Sequence, residues 1–318
     1  MAACLALLVL LSGWFATRMF RRRETRPLPA PTAAERTLEE RLRGHVEKLA
    51  TEIGPRHLFL PAALEKSAHY IEETFRDLEF APERESFDID GQPVSNIVVT
   101  IPGATAPDEI VVVGAHYDSI PACPAANDNG SGVAALLEVA RHFCGKQTGC
   151  TLRLVAFVNE EPPWFQTLEM GSLVHARAAK KRGDEIVAMI SLETIGYFTD
   201  EAKSQEYPPP LSMFYPDAGN FIGFVGNLAS RSLVKRCVES FRSHTTFPAE
   251  SASLPGWMPG VGWSDHWAFW QVGHPAVMVT DTSPFRYPHY HESSDTADKL
   301  VYDRMSLVVS ALFRVVED

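Results

Sequence analysis

Residues 110 to 132, IVVVGAHYDSIPACPAANDNGSG, constrain the fold of this chain more than any other stretch. The apolar run Ile110 to Val113 reads as a buried strand. His116 and Asp118 stand where that run ends, and on extended backbone residues two apart point their side chains the same way. A polar loop carrying Asp128 follows. From Val133 the pattern turns helical, with Ala134, Leu136, Leu137, Val139 and Ala140 on one apolar face. An open α/β sheet keeps its active site in such a loop between buried strand and buried helix. Imidazole nitrogen and carboxylate oxygen are also the atoms that a catalytic zinc takes. One reading is therefore a metal site, with His116 and Asp128 as ligands and Asp118 orienting the imidazole. The other is a hydrogen-bonded core histidine beside turn and helix-cap residues.

The surrounding pattern predicts one α/β domain over residues 37–318, a mixed, mostly parallel central sheet with helices on both faces. Helical spacing of Leu38, Leu42, Val46 and Leu49 predicts a helix over Thr37 to Glu52, closed by Gly54-Pro55. A second helix is expected from Ala62 to Leu78, and a closing one from Tyr302 to Val316. Strands are expected at 95–101, 110–114, 152–158, 186–192, 223–226 and 275–280, with a helix over 228–242. Residues 199 to 222, with prolines at 208, 209, 210 and 216, read as a long irregular insertion of the kind kept for function.

Hydrophobic content of 45% over 318 residues supports a full core. The net charge of −11 leaves no basic surface suited to nucleic acid, so that class of partner is set aside. The cysteines form no CxxC pair. Cys144 and Cys150 are close enough in sequence to bridge, with free thiols as the alternative.

Residues 1–20 begin with the apolar run AACLALLVLLSGWFAT and are followed by Arg21, Arg22 and Arg23. The run reads as an N-terminal membrane anchor or an export signal, short of the roughly 20 residues of an ordinary span. The proline-bearing stretch 21–36 reads as a linker. The arginines favour a cytoplasmic side for the domain C-terminal to them.

Further acidic and histidine residues fall at strand ends or in loops. Glu160 and Glu161 are adjacent after an apolar strand, so their side chains diverge and one can bind metal while the other faces substrate. Glu193 ends the strand Met189 to Leu192, where a charge needs a partner. The C-terminal loop carries His289 and His291, and Ser264-Asp265-His266 precedes the last strand. A pair of zinc ions sharing a carboxylate would use two histidines and three carboxylates from these clusters, leaving Glu160 as the spare carboxylate to take a proton from water.

GAHYDS, AANDNGSGVAALLE, NEEPP, SLETIGYF and PHYHESSDT, in this order, resemble the two-zinc exopeptidase family of bacterial leucyl aminopeptidase, which also holds glutamate carboxypeptidases and glutaminyl cyclases (clan MH). The resemblance implies two zinc ions per chain. His116 and Glu193 would hold one, Glu161 and His291 the other, and Asp128 would bridge them. It implies that Asp118 orients His116, that Glu160 is the general base and that Asp265 lies behind it. It further implies a cis Asp128–Asn129 peptide, peptide substrates, aminopeptidase action and an exported or membrane-anchored domain on the outer side. That side conflicts with the arginines after the apolar run. The rival activities on this fold are a glutaminyl-peptide cyclase with one zinc, a carboxypeptidase with Arg286 as the cation for the substrate carboxylate, and a non-catalytic binding module. Phe198, Phe214, Tyr215, Trp257, Trp263 and Tyr287 are candidates to line a substrate pocket.

Overall fold

A computed structural model describes residues 28–318. The expected anchor over 1–20 and much of the linker lie outside the described residues. Among the described residues no helix is long and apolar enough to cross a membrane.

Helix α1 spans Ala33–Val46 and runs on as a wider π turn over Glu47–Ile53, ending where Gly54 takes φ 82°. It starts before Thr37 because Thr32 and Glu35 form a capping box. The Thr32 hydroxyl accepts the Glu35 amide at 3.2 Å, and the Glu35 carboxylate accepts the Thr32 amide at 2.7 Å. Helix α2, Pro61–Asp77, follows with proline in its first turn, where a missing amide is harmless.

The strands are β1 Glu83–Ile89, β2 Gln92–Ile101, β3 Gly103–His116, β4 Thr148–Phe157, β5 Glu185–Glu193, β6 Ile222–Asn227, β7 Ala249–Leu254 and β8 Ala276–Thr280. They form one eight-stranded sheet in the order β1-β2-β4-β3-β5-β8-β6-β7. The central strands β4, β3, β5 and β8 run parallel, and β1, β2 and β6 join antiparallel. The remaining helices are α3 Gly132–Phe143, α4 Gly171–Arg182, α5 Arg231–His244, α6 His266–Gln271 and α7 Tyr302–Glu317.

Helices cover both faces, as the alternation within β3 shows. Val113 and Ala115 point into a core shared with α1, α2, α3, α5 and α7, whereas Ile110 and Val112 point into a second core shared with α4 and α6. Four elements lie outside the predicted set: β1, β7, α4 and α6. The β1–β2 hairpin carries a readable signal, since Asp90-Gly91 closes it with φ of 52° and 83°, the left-handed pair that two-residue hairpin loops need. Strand β7, AESASL, has neither β-branched nor aromatic residues, and pairing with β6 makes it a strand. Cys144 and Cys150 are free thiols.

The chain leaves β3 through α3 to β4 on one side of it, while β5 pairs on the other side. Such a reversal opens a crevice at the carboxyl ends of the strands. His116 and Glu193 are the last residues of β3 and β5, and the chain after β4 carries Glu160 and Glu161 into the same crevice.

Candidate metal centre

The loop before α3 is fastened by its own polar side chains. The Asn129 amide nitrogen donates to the Leu192 carbonyl at 2.8 Å, and its side-chain oxygen accepts the amides of Gly132 and Thr194 at 3.0 Å each. Asn129 thus stitches the loop to the end of β5 on both sides of Glu193. At position 132 any β-carbon would collide with Asn129 and the Leu192 carbonyl, so only glycine allows this approach. Asn127 bonds Asp281, Ser283 and the Gly196 amide. Asp295 accepts the backbone amides of Asn127 and Asp128 at 2.9 and 3.1 Å. The Asp128–Asn129 peptide is cis.

These ties leave the Asp128 carboxylate between two sets of side chains. On one side His116 Nε2 is 3.3 Å from Asp128 Oδ1 and 3.3 Å from Glu193 Oε2. On the other, His291 Nε2 is 3.1 Å from Asp128 Oδ2 and 3.3 Å from Glu161 Oε2. His116, Asp128 and Glu161 also offer ligand atoms within 4.8 Å of one another. Glu160 diverges from Glu161, its Oε2 lying 3.9 Å from His116 Nε2. Asp118 lies 3.5 Å from His116 Nδ1 and accepts the amides of Glu160 and Glu161 at 3.1 Å each, so one carboxylate positions three site residues. Ser264 donates to Glu193 at 2.7 Å. Asp265 is fully buried behind the site.

Burial and crowding set the protonation of this cluster. Burial drives the Glu160 carboxyl well above its usual range, opposed by His116 and reinforced by Glu161, Glu193 and Asp265. Burial and Asp128 raise Glu161 to about 7. Burial, partly opposed by His116, brings Asp265 to about 7. His291 loses some basicity to burial, yet Asp128 and Glu161 raise it to about 10. Tyr290 stacks on His291 with ring centroids 4.0 Å apart, and burial together with the site carboxylates keeps its phenol protonated.

Sequence reasoning assembled His116, Asp118, Asp128, Glu160, Glu161, Glu193, His291 and Asp265, and the fold brings all eight together. It passed over Asn127, Asn129, Tyr290 and Asp295, although the Asn-Asp-Asn-Gly run was in view. His289 turns away to Ser294, and His266 bonds the Val261 carbonyl.

An apolar pocket opens beside Glu193 and Tyr290. Tyr207, Leu211 and Tyr215 of the long insertion wall it, facing Val225, Met278 and Trp263. The insertion is pinned by its tyrosine hydroxyls, Tyr207 donating to the Pro216 carbonyl at 2.6 Å and Tyr215 to the Ser251 carbonyl at 3.0 Å. Of the predicted lining aromatics only Tyr215 and Trp263 are there. Phe198 packs on Phe247 in the core, Tyr287 bonds Asp295, and Phe214 and Trp257 face solvent.

A family model described as peptidase family M28 matches residues 96–316. The chain belongs to this family. The M28 chain is 37% identical over 291 residues to the uncharacterized protein YfbL of Escherichia coli (strain K12), covering 89% of this chain and 88% of that one. It is 27% identical over 223 residues to a probable leucine aminopeptidase of Arthroderma otae, covering 66% of this chain and 52% of that one, about half of the relative's length. The zinc aminopeptidase BSAP from Bacillus subtilis has the same fold, with a TM-score of 0.68 and 18% identity over 91% of this chain and 96% of that one. Glutaminyl cyclases share the fold as well.

Membership implies a zinc-dependent peptidase, and the M28 chain's donor set fits that metal. His116 Nε2 has no hydrogen-bond partner, nor has Glu161 Oε1, although both atoms are buried. A buried imidazole nitrogen facing two carboxylates, beside a buried carboxylate oxygen that no donor reaches, is an arrangement that a cation satisfies.

Proposed function

We propose that this M28 peptidase is an aminopeptidase that holds two zinc ions and removes N-terminal residues with apolar side chains. The reading rests on one observation above all. The two oxygens of Asp128 each face a separate histidine–carboxylate pair, His116 with Glu193 and His291 with Glu161. Each trio would hold one zinc, with Asp128 common to both. When bound, a zinc pair supplies Lewis-acid polarisation of a carbonyl and lowers the pKa of water.

The chain's own groups do the rest. Glu160, which diverges from Glu161 and belongs to neither trio, takes the proton of the attacking water and returns it to the leaving amine. Asp118 holds His116 and the Glu160 backbone in register. Tyr290, stacked on His291 and lining the pocket with its phenol protonated, is the neutral hydroxyl donor nearest the candidate zinc site among the pocket aromatics named. The pocket beside Glu193 takes the first side chain, and the acidic surroundings favour the free ammonium next to it.

A carboxypeptidase needs a cation in the pocket, and no lysine or arginine is among the residues lining it. Arg286 is buried behind the pocket wall, donating to Gln205 and the Phe221 carbonyl at 2.7 and 2.8 Å, and is not itself among the lining residues. A cyclase reading leaves the second trio without a task. The relationship to leucine aminopeptidases points the same way.

The test is a panel of free-amine, N-acetylated and N-terminal glutamine peptides, with bound metal quantified. Cleavage is expected for free-amine peptides alone. Equal cleavage of acetylated peptides, or pyroglutamyl product without peptide-bond hydrolysis, would overturn the reading.

A further inference from the structure

The pocket accounts for one side of the site, and a second aromatic feature is built on the loop that follows Glu161. Phe59 is 63% exposed. Its ring lies 4.6 Å from that of His57 and 5.4 Å from that of Trp164, and His57 and Trp164 are 5.1 Å apart between centroids. Buried His57 braces the other two. Its Nε2 donates to the Pro162 carbonyl at 3.1 Å, and its Nδ1 accepts the Phe59 amide at 3.1 Å, so both ring nitrogens are engaged and the ring is fixed.

This trio is tied to the metal centre through the backbone. The Trp164 amide donates to the carbonyl of Glu161 at 3.1 Å. The same loop reaches across to the pocket side, where the Gln166 side chain donates to the Gly262 carbonyl at 3.0 Å, next to Trp263. One loop thus links the two, the pocket being lined by Glu193 and the trio tied to the backbone of Glu161. Successive side chains of an extended peptide point in opposite directions. With its first side chain in the pocket, a peptide turns its second away from it. Exposed aromatic rings in mutual contact beside an active site mark a place for an apolar group.

We propose that Phe59 and Trp164, braced by His57, seat the residue that follows the cleaved bond and favour a large apolar or aromatic side chain there. The direction of the peptide rests on the aminopeptidase reading.

The experiment compares Leu-Phe-amide with Leu-Gly-amide on the full-length, zinc-loaded protein. The wild type is expected to favour Leu-Phe-amide in kcat/KM by about three- to tenfold. In Phe59→Ala and in Trp164→Ala that ratio falls towards one. The ratio is insensitive to a partly misfolded preparation, and Phe59 is exposed enough to be removed without opening the core. A wild-type ratio of one, or a ratio unchanged in both variants, overturns the proposal. Should the wild type cleave neither amide, the aminopeptidase reading fails by itself, and affinities measured on Glu160→Gln protein decide the platform. Tighter binding of Leu-Phe-amide that Phe59→Ala abolishes supports it, and equal affinities overturn it.

Discussion

Asp128 faces two histidines at once, with Oδ1 3.3 Å from His116 and Oδ2 3.1 Å from His291. It is the one residue common to both candidate zinc sites. Asp128→Ala is therefore expected to lose metal from both, with elemental analysis giving less than one zinc per chain and free-amine turnover falling to background. Glu160→Gln is expected to keep its metal while kcat falls by about 10²–10⁴-fold. Metal loss in the Glu160 variant would make that residue a ligand rather than the base.

Asp118 makes no direct claim on the metal, yet it lies 3.5 Å from His116 Nδ1 and accepts the amides of Glu160 and Glu161. Asp118→Asn keeps the shape and removes the charge that favours the right imidazole tautomer. Zinc affinity is expected to weaken by about 10–100-fold, as for other partners of ligating histidines. Competition with a chromogenic chelator measures this, and an unchanged affinity would reduce Asp118 to a backbone anchor.

The eight site residues were legible in sequence because each stands at the end of an apolar run or in a loop, and because the ordered motifs that carry them resemble a known family. His116 and Glu193 end β3 and β5, and their meeting follows from adjacent parallel strands. The residues that hold them were less legible. Asn129 looks like any turn asparagine, and only the fold reveals that it bonds Leu192, Gly132 and Thr194 together. Tyr290 was masked by His291 beside it. The pocket aromatics could not be sorted, because Phe198 and Tyr215 have the same character in sequence and only the fold sends one to Phe247 in the core and the other to the pocket wall. Strand β7 and the short helix α6 carry weak local signals and exist through tertiary pairing.

Removing the metal is expected to destabilise the fold, since Asp128, Glu161 and Glu193 then stand buried together with nothing but two histidines between them. A ligand present at a hundred times its dissociation constant stabilises the native state by about 2.7 kcal/mol. For a chain of 318 residues that corresponds to about 4 °C in Tm. Scanning calorimetry with and without a chelator, followed by zinc restoration, checks the shift. An unchanged Tm would mean that the native protein holds no tightly bound ion.

Far from the rim, Glu138 fixes α3, the helix that begins at the Asp128 loop, to the N-terminal helix α1. Its carboxylate is buried and lies 2.7 Å from Arg41 Nε, 2.9 Å from Arg141 Nε and 3.2 Å from His45 Nε2. Burial pushes its pKa up, but these three partners outweigh it and hold the group below the usual glutamate value. A folded pKa below the unfolded one means that stability is present above the unfolded pKa and is lost as pH falls through the folded value. Glu138→Gln is expected to cost about 1.5–3 kcal/mol at neutral pH, the range for hydrogen bonds to charged groups. Larger losses are not expected, because Arg41 and Arg141 keep contact with water when the carboxylate is gone. Denaturant titrations of wild type and variant at neutral pH and at pH about 4 test both statements. The gap between the two proteins narrows in acid, and a gap independent of pH would assign the loss to packing rather than to charge.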